Sequence, residues 1–202
     1  MKLLKKLFGG ESNEKPVIIV SGLPRSGTSM MMKMVEAGGL AVLTDNIRTA
    51  DDDNPKGYYE YERVKQLPQD TDWLPEARGR VVKIISMLLQ HLPGNYRFKV
   101  LFMRREINEI LASQRQMLIR RGEATDKVAD EQMAEMYAGH IRKIEAWLAE
   151  QKNIDVLYVD YNDVLQNGAA WIEKINAFLG GGLAVDKMQE VIDLSLYRQR
   201  KE

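Results

Sequence analysis

Gly22-Leu23-Pro24-Arg25-Ser26-Gly27-Thr28-Ser29 sets two glycines with four residues between them and follows them with two hydroxyls. That spacing suits an anion. Glycines let the backbone turn tightly and approach a ligand closely. Successive amides then point inward, and a helix beginning at the end of the loop adds its dipole. Thr28 and Ser29 can offer hydroxyls to anion oxygens, and Arg25 can fork onto two of them. The common nucleotide-phosphate loop carries Lys immediately before its last Ser or Thr. Here Thr28 fills that slot, so the loop's cation is Arg25. ATP chemistry also wants Mg²⁺ held by an Asp at the end of another strand. Asp160 follows the last strand-like run, but a lone Asp is a weak signal, and the missing Lys and missing second acidic motif both argue against ATP. A Mg-dependent small-molecule kinase is the second reading.

Such a loop must be carried by a strand and continued by a helix. Apolar β-branched runs predict strands over Val17–Ser21, Leu40–Thr44, Arg80–Ser86, Phe98–Arg104 and Ile154–Val159. Helical periodicity predicts helices over Ser26–Ala37, Tyr61–Leu67, Ile107–Arg120, Asp126–Gln151 and Ala169–Leu179. Alternating strands and helices imply a three-layer α/β fold, a parallel sheet flanked by helices on both faces. These sheets bind ligands at the carboxyl ends of their strands. The loop 22–29, Arg104 and Arg105, and Lys83 all fall at such ends. Residues 16–202 read as a single domain after a basic segment 1–15 that is expected to be loosely ordered. The segment 44–61 is irregular, with Pro55, Gly57 and three tyrosines (Tyr58, Tyr59 and Tyr61). A connection that long is often functional.

Pro24-Arg25-Ser26-Gly27-Thr28-Ser29 after a first strand resembles the 5′-phosphosulfate loop of sulfotransferases that use 3′-phosphoadenosine 5′-phosphosulfate (PAPS). The family has a second signature, an Arg at the end of a later strand with a Ser eight residues on. Arg105 and Ser113 stand in that relation, and Arg104 is one residue out of register. The resemblance implies that Arg105 and Ser113 bind the donor's 3′-phosphate and that Pro24 to Ser29 bind its phosphosulfate. Tyr161-Asn162-Asp163-Val164-Leu165 is similar to a Tyr-Glu-Asp-Leu-Leu stretch after the family's last strand. Glu106-Ile107 departs from the Asp-Pro common there. The resemblance spans roughly residues 16–180 and implies a metal-independent transfer of a sulfuryl group to a hydroxyl or amine. Lys83 corresponds to a Lys at a strand end and would be a second cation beside Arg25.

The base is read from the branches that use a carboxylate after the second strand. Glu60 is the first choice, because Pro55 and Gly57 form a turn that aims it. Asp45, straight after Leu40–Thr44, is the second, and Asp51 to Asp53 read as solvated. Gln90-His91-Leu92-Pro93 looks like the histidine motif of the cytosolic branch. Alignment on Lys83 puts Ile85 at that position, so His91 comes six residues late. His140 lies on the packing stripe of Met133, Met136, Tyr137, Ile141, Ile144, Trp147 and Leu148 and reads as a core or boundary residue.

Composition narrows the partners. The 202 residues carry 29 basic and 29 acidic side chains, so overall charge points to no nucleic acid. There is no cysteine, which excludes disulfides and thiolate chemistry. No apolar run approaches the ~20 residues of a membrane helix, and Met1 to Phe8 lacks the core of a signal peptide. A cytoplasmic location is expected. The acceptor is expected to be a small molecule, carbohydrate or peptide. The chain is short for the family, so a second copy or a partner protein is expected to help complete the acceptor site. A third reading is a nucleotide-binding protein without catalysis. The basic Tyr197 to Lys201 reads as a frayed tail, with closure over the donor as its functional alternative.

Overall fold

The computed structural model describes residues 14–45, 47, 57–125 and 129–193. The basic start, Asp51 to Asp53, Pro55 and the tail 197–201 lie outside the described residues. Four strands form one parallel sheet: β1 (Val17–Gly22), β2 (Val81–Lys83), β3 (Phe98–Arg104) and β4 (Ile154–Asp160), in the order β2-β1-β3-β4. Val20 lies opposite Lys83 on one side and Leu101 on the other. The carboxyl ends of β1, β2 and β3 therefore finish side by side.

Alternation along β1 sends its side chains to two apolar layers. Ile18 and Val20 join Leu101, Met103 and Val159 under α1 (Thr28–Ala37), which contributes Met31, Met32, Met34 and Val35. The same layer takes in Val164, Ile172 and Met188, from α4 (Tyr161–Gln166), α5 (Gly168–Leu179) and α6 (Val185–Gln189). Val17 and Ile19 join Val100 and Phe102 on the opposite face, packed by Ile144 and Leu148. Those two come from α3 (Asp130–Glu150), which follows α2 (Ile107–Arg120).

Three predicted elements are smaller than the sequence pattern suggests. Leu40–Thr44 makes a single parallel bridge, Val42 to Val81, and no strand. The bridge uses the Ala41 carbonyl and the Leu43 amide; the Asp45 amide, next in line, donates to the Glu60 carbonyl at 3.3 Å instead, so pairing goes no further. Arg80–Ser86 pairs only over Val81–Lys83, and Ser86–His91 winds into a 3₁₀ turn. Tyr61–Leu67 is likewise a 3₁₀ turn, Glu62–Gln66, and Pro68 blocks its extension. The helix expected over Asp126–Gln151 begins at Asp130, with residues 126–128 outside the described ones. Two short helices, α4 and α6, have no counterpart among the predicted elements. Asp160 accepts from the Asp163 amide at 2.8 Å and caps α4, an N-cap arrangement. No described helix is long and apolar enough to cross a membrane.

Candidate anion-binding site

The loop leaving β1 is tight because side chains are excluded from its two turning points. At Gly22 (φ 145°) a Cβ would stand 2.6 Å from Ser26 Oγ and 2.7 Å from the Met103 carbonyl. At Gly27 (φ 97°) it would stand 2.4 Å from the ring of Tyr161. Only glycine fits such a combination of positive φ and contact. Ser26 Oγ donates to the Leu23 carbonyl at 2.7 Å, which closes the loop and keeps Ser26 out of the predicted helix. The first intrahelical bond of α1 is Met31 N to Gly27 O. The amides of Thr28 to Met30 precede it, the usual arrangement at a helix start.

Arg25 has φ 70°, a left-handed conformation for a non-glycine residue. Such a residue costs on the order of 1–3 kcal/mol and persists only when its surroundings hold it. Two long-range bonds do so. Arg25 Nε donates to Ser113 Oγ at 2.9 Å, and Arg105 Nη1 donates to the Arg25 carbonyl at 3.1 Å. Arg105 Nε also donates to Glu109 Oε2 at 2.9 Å, with side-chain exposures of 8% and 5%. A buried pair is costly unless further hydrogen bonds complete it. Here Asn162 Nδ2 donates to Glu109 Oε1 at 3.0 Å. The Arg105 guanidinium also lies 4.6 Å from the centre of the Tyr161 ring. Burial pushes the Tyr161 hydroxyl pKa up, against the pull of the Arg105 cation. Three stretches read separately in the sequence, 22–29, 105–113 and 161–163, thus meet at one place.

Pro24 is exposed, and Thr28 and Ser29 are half-buried at the mouth of the loop. Arg104 goes elsewhere. It donates through Nε to Glu145 Oε1 of α3 at 2.8 Å and stacks 4.0 Å from the centre of the Tyr158 ring.

On the β2 side, Lys83 Nζ donates to the Tyr58 carbonyl. The Glu60 carbonyl accepts from Thr44 Oγ1 at 2.8 Å and from the Asp45 amide at 3.3 Å. Both oxygens of Asp45 take backbone amides, Oδ1 that of Ile47 at 3.0 Å and Oδ2 that of Glu62 at 2.6 Å. Asp45 therefore holds the local backbone together. The tyrosines of this segment are anchored. Tyr58 is buried, Tyr59 (φ 53°) donates to Glu36 Oε2 of α1 at 2.6 Å, and the Tyr61 ring packs edge-on against Trp73. Burial, then the hydrogen bond to Glu36, raises the Tyr59 pKa. His91 is exposed at the end of its 3₁₀ turn. His140 Nε2 lies 2.9 Å from Ser86 Oγ, just past β2, and burial followed by the Lys143 charge lowers its pKa.

Glu109 was not singled out in the sequence. Its only local signal is the i to i+4 relation to Arg105 at the start of a helix, a spacing that lets side chains meet.

A model of the sulfotransferase domain family matches residues 15–202. A search of curated proteins finds no match. Solved structures resemble the chain at the level of fold. Sulfotransferase STF1 from Mycobacterium tuberculosis H37Rv aligns with TM-score 0.57 and 16% identity, over 91% of this chain and 73% of its own. Mouse sulfotransferase SULT7A1, complexed with PAP, aligns with TM-score 0.55 and 15% identity, over 92% and 67%. The sulfotransferase domain of the curacin biosynthetic pathway gives 0.53 and 13%, over 89% and 78%.

Proposed function

The chain belongs to the sulfotransferase domain family, and we propose that it moves a sulfuryl group from PAPS to a hydroxyl or amine of an acceptor. The observation that carries this reading is the meeting of Arg25, Ser113 and Arg105 around the loop. Such a donor has two anionic groups, and this arrangement offers a site for each. The glycine-lined cradle of residues 22–29 would receive the phosphosulfate. Arg105 and Ser113 would receive the 3′-phosphate, with Glu109 and Asn162 fixing the Arg105 fork. The PAP in the mouse neighbour supports the same donor.

Bound PAPS supplies an activated sulfuryl group whose leaving side is a phosphate. The chain's part is to orient it and to stabilise charge on the departing oxygen, through Arg25, Thr28 and first-turn amides. Lys83, at the end of the neighbouring strand, would add a second cation. Glu60 would take the acceptor's proton as the acceptor oxygen or nitrogen bonds to sulfur and the sulfur–oxygen bond to the phosphate breaks. Asp45 fits that role less well, because backbone amides engage both its oxygens. A Mg-dependent kinase loses support in the same way, since Asp160 caps a helix.

The test is transfer of ³⁵S from labelled PAPS to pooled phenols, sugars and tyrosine peptides. Label is expected in one pool with the wild type and in none with Arg25→Ala. Label in no pool would overturn the reading.

A further inference from the structure

We propose that two copies of the chain join through the outer edge of β4, paired antiparallel about a two-fold axis at Val156. The proposal is independent of the sulfotransferase reading. The sheet ends on one side in β2 and on the other in β4. The β2 edge is covered. Val81 donates to the Ala41 carbonyl at 2.9 Å and accepts from the Leu43 amide at 2.7 Å, and Val81 and Val82 are fully buried. The β4 edge is open. Phe98 N–H donates to the Asn153 carbonyl at 2.9 Å. The two sides of a strand alternate residue by residue. Asn153, Asp155, Leu157 and Val159 therefore turn their backbone groups to β3, and Ile154, Val156 and Tyr158 turn theirs outward. Among the described residues, none of those outward groups has a backbone partner. Val156, Leu157 and Tyr158 are half-buried, whereas their neighbours in β3, Val100, Leu101 and Phe102, are fully buried.

An open edge is a template for another strand, and proteins blunt one with proline, lysine, a bulge or a short strand. The seven residues Ile154–Asp160 contain no proline or lysine, and their register with β3 is unbroken. A second copy fits this edge because the edge complements itself. With Val156 opposite its own copy, Ile154 falls opposite Tyr158 and Lys152 opposite Asp160. The three outward residues thus satisfy one another, and exposed Lys152 meets exposed Asp160 at both ends. Asp155 falls opposite Leu157, so no two carboxylates face each other. Opposite charges and aromatic or β-branched residues across a strand pair are favourable. An axis at Leu157 would instead set Ile154 against Asp160, whose carboxylate caps α4, and would move Lys152 away from it. The two-fold closes the assembly at two chains. It also sends the two phosphate loops to opposite ends of the joined sheet.

The test is sedimentation velocity of the full-length chain over a dilution series. Wild type is expected to be a dimer that dissociates on dilution. Val156→Pro removes an outward N–H and no bond to β3, and is expected to be monomeric throughout. Lys152→Asp sets like charges opposite at both symmetric contacts and is expected to weaken the dimer about tenfold. The chain has no cysteine. Hydrogen-bonded antiparallel pairs stand about 5.5 Å apart at Cα, within disulfide reach. Val156→Cys is therefore expected to give a covalent dimer on oxidation. Circular dichroism reports that the variants fold, and Lys152→Asp and Val156→Cys decide the matter if Val156→Pro does not. A wild type that is monomeric at every concentration overturns the proposal. So does a dimer that keeps its affinity in Lys152→Asp and gives no covalent Val156→Cys dimer, because it uses another surface. Assemblies larger than two chains overturn the two-fold.

Discussion

Around Arg25 the crevice is held by side chains from three distant stretches, each completing another's hydrogen bonds. Around Lys83 and Glu60 side chains reach to backbone groups: the Tyr58 and Glu60 carbonyls and the amides that Asp45 gathers. The first arrangement depends on particular side chains and keeps a strained residue in place. The second fixes the path of the chain. A rigid cradle beside a more permissive wall fits an enzyme with one donor and an acceptor set by details of its own sequence.

Substitutions can break this contrast. Glu60→Gln should lower kcat by roughly 100- to 10,000-fold, the usual range for a general base, with donor affinity unchanged. Loss of kcat in Asp45→Ala with full activity in Glu60→Gln would reverse the assignment. Glu109→Gln leaves Arg105 buried without its counter-ion. It should cost about 3–5 kcal/mol of stability in denaturant unfolding, as broken buried pairs do. Arg25→Ala and Arg105→Ala should each weaken PAP binding by about 1.5–3 kcal/mol, the range for a hydrogen bond to a charged group. Calorimetry showing unchanged affinity would remove that residue from the donor site. On the other wall, Asp45→Ala should cost only about 1 kcal/mol, a cap-like loss of two amide contacts.

The smallest effect is in pH dependence. Burial lowers the His140 pKa, so the unfolded chain binds that proton more readily than the folded one. Its contribution to stability is therefore full above the unfolded value, near 6.5, and is lost as pH falls through the folded value. Unfolding at pH 5 and pH 7.5 should show a smaller difference for His140→Gln than for wild type.

Much of the cradle was legible because its signals are local. The run Val17–Gly22, the two glycines and the strand Phe98–Arg104 stand in the structure nearly where periodicity and turn chemistry put them. The pairing of Ser113 with Arg25 was not legible, nor was the role of Glu109. A Glu in an amphipathic helix reads as solvated, and it is buried here because Tyr161 and Asn162 arrive from some fifty residues away. Leu40–Thr44 had strand composition, but the Asp45 amide that a longer ladder needed went to the Glu60 carbonyl. The wall around Arg25 was thus readable as motifs, and its cross-links emerge only from the fold.

The loop is proposed to hold PAPS and not ATP. Thermal unfolding with adenosine 3′,5′-bisphosphate, compared with ATP and Mg²⁺ at equal concentration, tests it most directly. A clear rise in Tm is expected with the bisphosphate and a smaller one with ATP and Mg²⁺. Equal or greater stabilisation by ATP and Mg²⁺ would contradict it.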